Sequence, residues 1–269
     1  VITLSGYSQK KELDEEAYKQ WRRVDNYELA NNGAWVKFRY MFYDNDSLNS
    51  LICNTYYFYE LKSGRIRILR DIDSPEFFAG GNWIAFFRIG GDGTSVRVAH
   101  RLKDGFEIHI HADAELNYVV PQVAYKEDDR LIILNVAERD STILTGVLQY
   151  CLYGDQWKVI CVHQEDQGYV LRYGGDGNSE GKVLYVDKTK SLDNFYFYEG
   201  KLEGNFFVCT GTNDKEKQDY YTFSLTDGNV EKVLGAEQMA QLSLDKYSIQ
   251  FLEGNKRFMY RKEGVQRVK

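Results

Sequence analysis

The sequence predicts an all-β protein, specifically a β-propeller of four-stranded blades, and three observations lead to this fold class. Aromatic residues make up 15% of the 269 residues, and aromatic side chains favour strands. The chain has 23 Gly but only 2 Pro, so its turns are built from Gly together with Asn and Asp. Short alternating strands bounded by such turns follow one another along almost the whole chain, which is typical of all-β architectures.

A unit of four strands recurs about every 40–50 residues, which is the length of a propeller blade. The units differ in clarity, and we assign them, in chain order, to the stretches "YELANNGAWVKFRY…TYYFYELKSGRIRILRD", "SPEFFAGGNWIAFFRI…SVRVAHRLKDGFEIHIHA", "PQVAYKEDDRLIILNV…GVLQYCLYGDQWKVICV", the weaker "VLRYGGDGNSEGKVLYV…DNFYFYEG", "GNFFVCTG…DYYTFSLTDGNVEKVLG" and the incomplete "SIQFLEGNKRFMYRKEG". The chain therefore contains about five to six blade-like repeats, which can belong to a larger propeller. A β-sandwich also repeats short strands and is the alternative.

The N-terminal part differs from the rest of the chain. Residues 13–24 show helical spacing, with Ala17, Trp21 and Val24 on one face and Asp14 as a cap, and predict a short helix. The domain prediction is therefore a tail over 1–12, this helix, and a propeller domain over 25–269.

The tail resembles the end of a secretory signal peptide. "VITL" is apolar, and the small residues Gly6 and Ser8 are two apart, as signal peptidase requires before a cleavage at Gln9. This pattern predicts a secreted or periplasmic protein, and an ordinary chain terminus is the alternative.

Charge and hydropathy exclude two partner classes. The net charge is −6, with acidic and basic residues interspersed, so we expect no nucleic-acid binding. The sequence has no apolar run of 18 residues, so we expect no membrane-spanning helix.

Ser179 lies in Gly177-Asn178-Ser179-Glu180-Gly181, which matches the G-x-S-x-G pattern of serine hydrolases. A nucleophile needs a sharp turn between a buried strand and a helix, whereas here a strand-like run follows the loop. We therefore interpret Ser179 as a turn residue and predict no catalytic residue in this chain. The similar loop "GGDGTS" at 90–95 and its counterpart "GGDGNS" could hold an ion through Asp92 or Asp176, but turn geometry is the favoured interpretation.

The stretch "FEIHIHAD" contains the weak metal candidates Glu107, His109 and His111, which share one face of a predicted strand. A strand with one solvated face shows the same pattern and is the favoured interpretation, so we predict no metal and no cofactor. A metal-dependent enzyme that uses His109 and His111 is the alternative class. His100 and His163 are isolated in the sequence, and we expect ordinary surface or half-buried positions for them.

Cys151 and Cys161 flank a predicted hairpin. A three-residue loop centred on Gln156 would place them opposite one another and allow a disulfide. Buried free thiols are the favoured interpretation for cysteines on strands.

The stretch "SQKKELDEEAYKQWRRVDNYELANNGAWVKFRYMF" resembles the start of secreted prolyl oligopeptidase family serine peptidases, of the dipeptidyl peptidase IV-like kind. The segment "LANNGAWV" (29–36) occupies the place of the family's repeated blade signature. "FFAGGNWIAFF" (77–87) and "FLEGNKRFMYR" (251–261) are similar to later repeats of it.

The resemblance implies a propeller that gates or docks peptide substrates for a C-terminal α/β-hydrolase domain. That domain carries the family's Ser, Asp and His, and nothing like it occurs up to Lys269. The resemblance therefore assigns the chain to the non-catalytic propeller of such an enzyme. A stand-alone secreted propeller that binds a peptide, glycan or protein partner is the alternative.

Overall fold

In the computed structural model, the described part of the chain consists of 11 segments. These are residues 22–42, 49, 53–165, 168–175, 181–188, 191–198, 202–209, 218–244, 249–251, 258–262 and 265–268.

Nearly all regular structure in these residues is extended. The strands, in chain order, are β1 Arg22–Leu29, β2 Trp35–Phe42, β3 Tyr56–Glu60, β4 Ile66–Leu69, β5 Ile72–Phe78, β6 Trp83–Ile89, β7 Ser95–Arg101, β8 Glu107–His109, β9 Glu115–Leu116, β10 Gln122–Glu127, β11 Arg130–Asn135, β12 Asp140–Leu144, β13 Val147–Tyr153, β14 Lys158–Glu165, β15 Gly168–Gly175, β16 Lys182–Asp187, β17 Leu192–Tyr198, β18 Glu203–Cys209, β19 Gln218–Ser224, β20 Val230–Leu234, β21 Ile249–Phe251, β22 Phe258–Lys262 and β23 Val265–Val268. A 3₁₀ turn covers Ala79–Gly81, and the helix α1 covers Ala236–Gln241.

The strands form consecutive antiparallel sheets in which neighbours in sequence are neighbours in space. Within the described residues, five sheets have four strands (β1–β4, β5–β8, β9–β12, β13–β16 and β17–β20) and a sixth has three (β21–β23). We number them sheet one to sheet six. Four-stranded meanders of this kind are the blades of β-propellers, so the all-β, blade-built fold class is confirmed. The predicted number of about five to six blade-like repeats agrees with these sheets.

The chain divides into two compact units. Unit one comprises residues 1–112 and 118–121 and contains sheets one and two. Unit two comprises residues 113–117 and 122–269 and contains the other sheets.

The first strand of several sheets carries a β-bulge at the same place. In β1 the ladder shifts between Asp25 and Glu28, and in β5 it shifts between Asp73 and Glu76. β17 shifts in the same way between residues 193 and 196. A bulge adds an unpaired residue and bends the strand, and bulges are common next to binding sites.

A second repeated device is the turn between the third and fourth strands of sheets one, two and five. Ser63, Asp104 and Asp227 each accept a hydrogen bond from the backbone N–H two residues later, at 3.2, 3.2 and 3.0 Å. Gly64 and Gly105 follow the first two of these residues with φ of 72° and 81°, where glycine is favoured because it has no Cβ. The pattern of a Ser or Asp followed by Gly therefore recurs because these turns share one backbone conformation, in which the second residue has a positive φ.

The core of unit one is built around large aromatic residues from alternate strand positions. Trp35 and Trp83 begin the second strands of sheets one and two and are 4% and 3% exposed. Each has an arginine over its ring, Arg65 at 5.5 Å and Arg101 at 5.4 Å. Trp35 and Trp83 are therefore buried at equivalent positions of consecutive sheets.

The dense aromatic runs alternate between two faces, as expected for core strands. In "YYFY", Tyr56 and Phe58 are 7% and 0% exposed. In "FYFY", Phe195 and Phe197 stack on Phe223 of unit two, with ring centroids at 5.7 and 6.3 Å.

The predicted division into repeats is right for sheets one and two and for the start of sheet six, and wrong for sheets three to five. The third predicted unit joined β10 and β11 to β13 and β14, but the first pair belongs to sheet three and the second to sheet four. The two-residue strand β9 and the polar strand β12 were missed. The boundary after β14 is consequently displaced by half a sheet, which separates β15 and β16 from the hairpin that they complete, and the next boundary is one strand late. The last predicted boundary, after β20, agrees with the structure.

The predicted helix over 13–24 is wrong at its C-terminal end. Arg22, Arg23 and Val24 are extended and pair with Phe42, Met41 and Tyr40 of β2. Residues 13–21 lie outside the described residues, and the short helix that the structure describes, α1, lies near the other end of the chain. No helix in the described part of the chain is long and apolar enough to cross a membrane.

Candidate functional site

Glu107, one of the three weak metal candidates, is engaged in another network. Its carboxylate accepts two hydrogen bonds from the guanidinium of Arg88, at 2.7 and 2.8 Å, and one from His100 Nδ1 at 2.9 Å. His109 lies on the same face of β8 and is exposed, while His111 follows the strand and is half-buried. Within the described residues, no three His, Cys, Asp or Glu side chains are grouped as a metal site would require.

This network shifts the protonation of its members. Hydrogen bonding to Arg88 lowers the pKa of Glu107 to about 2, although burial opposes that shift. Burial lowers the pKa of His100, which is 4% exposed, and the opposing hydrogen bond to Glu107 is weaker. Glu107 is therefore an ionised carboxylate that ties together β6, β7 and β8.

The loops that resembled hydrolase or ion-binding motifs connect strands that pair antiparallel. β15 and β16 pair antiparallel across the loop that contains Ser179, so that loop is not the strand-to-helix turn that a nucleophile needs. Ser179 and Asp176 themselves lie outside the described residues. In the earlier loop, Asp92 accepts hydrogen bonds from the N–H and hydroxyl of Thr94, at 3.0 and 2.7 Å. Its carboxylate therefore stabilises its own turn.

All four cysteines are free thiols, so the disulfide alternative for Cys151 and Cys161 is wrong. Tyr153 pairs with Lys158, so four residues, 154–157, form the loop rather than three. Cys151 then lies opposite Ile160, and the two cysteines are one register position apart.

A polar pocket of about 490 Å³ in unit one lies where the bulges of β1 and β5 face each other. We call it the bulge pocket. Its lining residues come from the first two strands of sheet one, from β3 and from β5: Asn26, Tyr27, Glu28, Lys37, Arg39, Tyr56, Asp73, Ser74 and Pro75. Asn26 and Ser74 have φ of 54° and 48°, in the left-handed region, which is uncommon for residues other than glycine.

Lys37 is the buried cation of the bulge pocket. It is 8% exposed, and its Nζ donates to Glu28 Oε2 at 2.5 Å and to the Pro75 carbonyl at 2.6 Å. Arg39 donates to Asp25 Oδ2 at 3.0 Å. Both cations are thus held in place by first-strand groups that the bulges present.

The exposed rim of the bulge pocket can contact a ligand. Tyr27 is 77% exposed and the side chain of Glu28 is 50% exposed. Both belong to β1, an edge strand of sheet one, and β5 is an edge strand of sheet two. Edge strands offer unpaired backbone groups to an extended peptide. Sequence reasoning missed this pocket, and the available signal was the recurrence of "VDNYEL" (24–29) as "IDSPEF" (72–77).

A second pocket, of about 430 Å³, lies in unit two between the end of β12 and sheet four. We call it the thiol pocket because Cys161 lines it together with His163. Cys161 Sγ and His163 Nε2 are 2.9 Å apart. Burial raises the pKa of the Cys161 thiol to about 12 and lowers the pKa of His163. The sequence signal is Cys-x-His on one strand. His163 is half-buried, as expected, but it is not isolated, since it contacts Cys161. His100 is buried, so the expected surface or half-buried position is wrong for it.

No protein-family model and no curated protein matches the sequence. Among solved structures, a eukaryotic initiation factor matches with 10% identity and a TM-score of 0.40, over 88% of this chain and 70% of that one. The β-propeller domain of the Trilobed protease from Pyrococcus furiosus matches with 14% identity and a TM-score of 0.36, over 93% and 82%. An acylaminoacyl peptidase from Pyrococcus horikoshii matches with 14% identity and a TM-score of 0.36, over 95% of this chain but 45% of its own.

Of these three neighbours, one is the β-propeller domain of a protease and another is a peptidase. At such identities and TM-scores the similarity carries no argument about function. The chain spans less than half the length of the acylaminoacyl peptidase that it matches.

Proposed function

We propose that this chain is the non-catalytic propeller region of a secreted or periplasmic prolyl oligopeptidase-like serine peptidase. Its role is to dock peptides for an α/β-hydrolase domain. The support is the family resemblance of the sequence, the blade-built fold, and the hairpin context of the loop around Ser179.

The observation that carries the docking role is the bulge pocket. Two edge strands, β1 and β5, present bulged and partly unpaired backbone on either side of a polar cavity. An extended peptide can pair its amide groups with such edges, while pockets between them receive its side chains. Tyr27 offers a large exposed contact at the rim, and aromatic residues often dominate binding energy.

Peptide binding is tested directly with the chain of residues 1–269. Fluorescence anisotropy with labelled proline-containing and alanine-containing peptides should show saturable binding. Tyr27→Ala should weaken it by about tenfold, which corresponds to about 1.4 kcal/mol. Tyr196→Ala is the matched control, because Tyr196 is a 57% exposed strand tyrosine of unit two. Equal affinity of the two variants would refute docking at the bulge pocket.

Catalytic silence is a separate expectation of the same proposal. Chromogenic proline-containing and alanine-containing peptides should show no turnover by residues 1–269 above buffer. In the peptidase that contains this chain, Ser179→Ala should leave hydrolysis unchanged, because a hairpin loop cannot present a nucleophile. A loss of several orders of magnitude with the fold intact would show that Ser179 is catalytic.

The reading frame around this chain distinguishes the peptidase from a stand-alone binding propeller. We expect the coding sequence after Lys269 to continue into an α/β-hydrolase domain with its own G-x-S-x-G elbow. A stop codon there would leave the stand-alone interpretation.

A further inference from the structure

The bulge pocket holds more negative than positive charge. Two carboxylates, Glu28 and Asp73, and two cations, Lys37 and Arg39, line it. Lys37 is paired with Glu28 at 2.5 Å, and Arg39 is paired with Asp25 of β1 at 3.0 Å. Each cation is thus matched by one carboxylate, and Asp73 remains as the surplus charge.

Asp73 is the carboxylate of this pocket that has no partner. It is exposed and lies at the bulge of β5, and within the described residues its side chain forms no ion pair and no hydrogen bond. The other pocket carboxylate, Glu28, gives Oε2 to Lys37, and its side chain is half exposed. Asp73 is therefore available to a cation that comes from outside the chain.

The electrostatic field next to the pocket has the same sign. Tyr118, a residue of unit one, donates its hydroxyl hydrogen to Glu76, which follows Pro75 in β5. This hydrogen bond, burial, and the charges of Glu76 and Glu28 raise the pKa of Tyr118 to about 12, although Arg97 lowers it. Negative charge nearby disfavours an ionised phenol, so the carboxylates outweigh the cation at this position.

The rim and the wall supply the other contacts that a basic side chain uses. Tyr27 lines the pocket and is 77% exposed, and the face of a tyrosine ring attracts an ammonium or guanidinium group. Tyr56 also lines it and is 7% exposed, and its hydroxyl has no hydrogen-bond partner within the described residues. That hydroxyl oxygen can accept a hydrogen bond from a cation in the pocket.

We propose that the bulge pocket selects peptides with a basic side chain, lysine or arginine, and that Asp73 determines this specificity. The inference rests on the proposed peptide docking and names its substrate class. A peptide that pairs with the edge of β1 or β5 directs alternate side chains towards the sheet. A basic side chain in the pocket, whose volume is about 490 Å³, places its charge beside Asp73 and its stem along Tyr27.

An acidic side chain is the alternative that the two cations of the wall suggest. Lys37 Nζ, however, already donates to Glu28 and to the Pro75 carbonyl, and Arg39 already donates to Asp25. A further carboxylate would increase the surplus of negative charge, whereas a basic side chain removes it. Like charges brought together at an interface weaken binding, so the charge balance favours the basic side chain.

Fluorescence anisotropy with a set of matched peptides tests this specificity. The peptides are N-acetylated and C-amidated, so that they carry no terminal charge, and they differ in one central residue, which is lysine, norleucine or glutamate. We expect residues 1–269 to bind the lysine peptide about tenfold more tightly than the norleucine peptide, and the glutamate peptide least tightly. Added salt should reduce this preference, because the charges meet at the solvent.

Two substitutions of Asp73 test its role. Asp73→Asn keeps the size of the side chain and removes its charge, and should reduce the lysine preference to about twofold or less. Asp73→Lys should reverse the preference, so that the glutamate peptide binds more tightly than the lysine peptide. Asp129→Asn is the matched control, since Asp129 is an exposed aspartate of unit two outside the bulge pocket, and it should keep the wild-type preference. Circular dichroism establishes that each variant is folded.

The outcomes separate this inference from the docking proposal. Equal wild-type affinities for the lysine and norleucine peptides, with Tyr27→Ala still weakening both, would overturn the basic specificity and leave docking intact. A lysine preference that persists in folded Asp73→Asn would also overturn it, and so would tight binding that requires a free N-terminal ammonium group. If no capped peptide binds, the docking proposal and this inference both fail.

Discussion

The network of Arg88, Glu107 and His100 gives a prediction whose size follows from its geometry. Glu107→Gln removes the charge that accepts two hydrogen bonds from Arg88, at 2.7 and 2.8 Å, but its amide oxygen can still accept from His100 Nδ1. A charge-assisted pair contributes about 1.5–3 kcal/mol when buried. Since the side chains of Arg88 and Glu107 are 41% and 30% exposed, solvent screening reduces this to about 1–2 kcal/mol.

Urea unfolding at neutral pH measures this loss. Glu127→Gln is the matched control, because Glu127 pairs with Arg130 on the surface with both side chains nearly half exposed. It should change the free energy of unfolding by less than about 0.5 kcal/mol. A double-mutant cycle with Arg88→Met should give a coupling energy of about 1 kcal/mol.

The pH dependence supplies an independent check. The pKa of Glu107 falls from an ordinary 4.5 to about 2 in the folded protein, so its contribution is present above the unfolded value and is lost as the pH falls towards 2. The difference between wild type and Glu107→Gln should therefore shrink across this window. His100, whose pKa is also lowered, adds a loss of stability as the pH falls below 6.5. Equal effects of Glu107→Gln and Glu127→Gln, or a difference that is independent of pH, would refute this account.

Two further predictions concern the fold. Trp35→Ala and Trp83→Ala should each lower the free energy of unfolding by about 3–5 kcal/mol in urea, because both remove large buried side chains; much smaller losses would contradict the repeat equivalence. Gly204→Ala should destabilise by about 1–3 kcal/mol, because its Cβ would overlap the Phe223 ring, whereas Gly91→Ala, which meets nothing within 4 Å, should be neutral; equal thermal midpoints would contradict the packing.

The existence of most hairpins could be predicted from sequence, but their grouping into sheets could not. A turn within a sheet and a connection between two sheets both join consecutive strands in which apolar and polar residues alternate. The local pattern of apolar residues therefore does not distinguish the two kinds of connection. The assignment after sheet two failed at β9, which has two residues, and at β12, whose "DSTIL" is mostly polar. Both strands are defined by the partner that they pair with rather than by their own pattern.

For the site residues, too, the sequence predicts features of a single strand but not the contacts between strands. Glu107 and His109 are two residues apart, so the sequence correctly places them on one face of the strand. The hydrogen-bond donors to Glu107, however, come from β6 and β7, which its own strand pattern does not reveal. The bulge pocket was not predictable because a bulge depends on two strands, and sequence alternation only describes one.

Comparison of equivalent positions separates the scaffold from the functional candidates. The first-strand bulge recurs in sheets one, two and five, so its backbone geometry belongs to the common architecture. In each of these sheets, the first-strand residue that follows the bulge pairs with one residue of the second strand. The pairs are Glu28 with Lys37, Glu76 with Ala85, and Tyr196 with Asn205. The backbone at these three second-strand positions is equivalent, but the side chain is a buried cation in the first sheet, a methyl group in the second and an amide in the fifth. The fold alone therefore does not determine which side chain stands there. Burying Lys37 has an energetic cost, which Glu28 and the Pro75 carbonyl offset, and the proposed docking of peptides at the bulge pocket gives a reason for keeping this cation there.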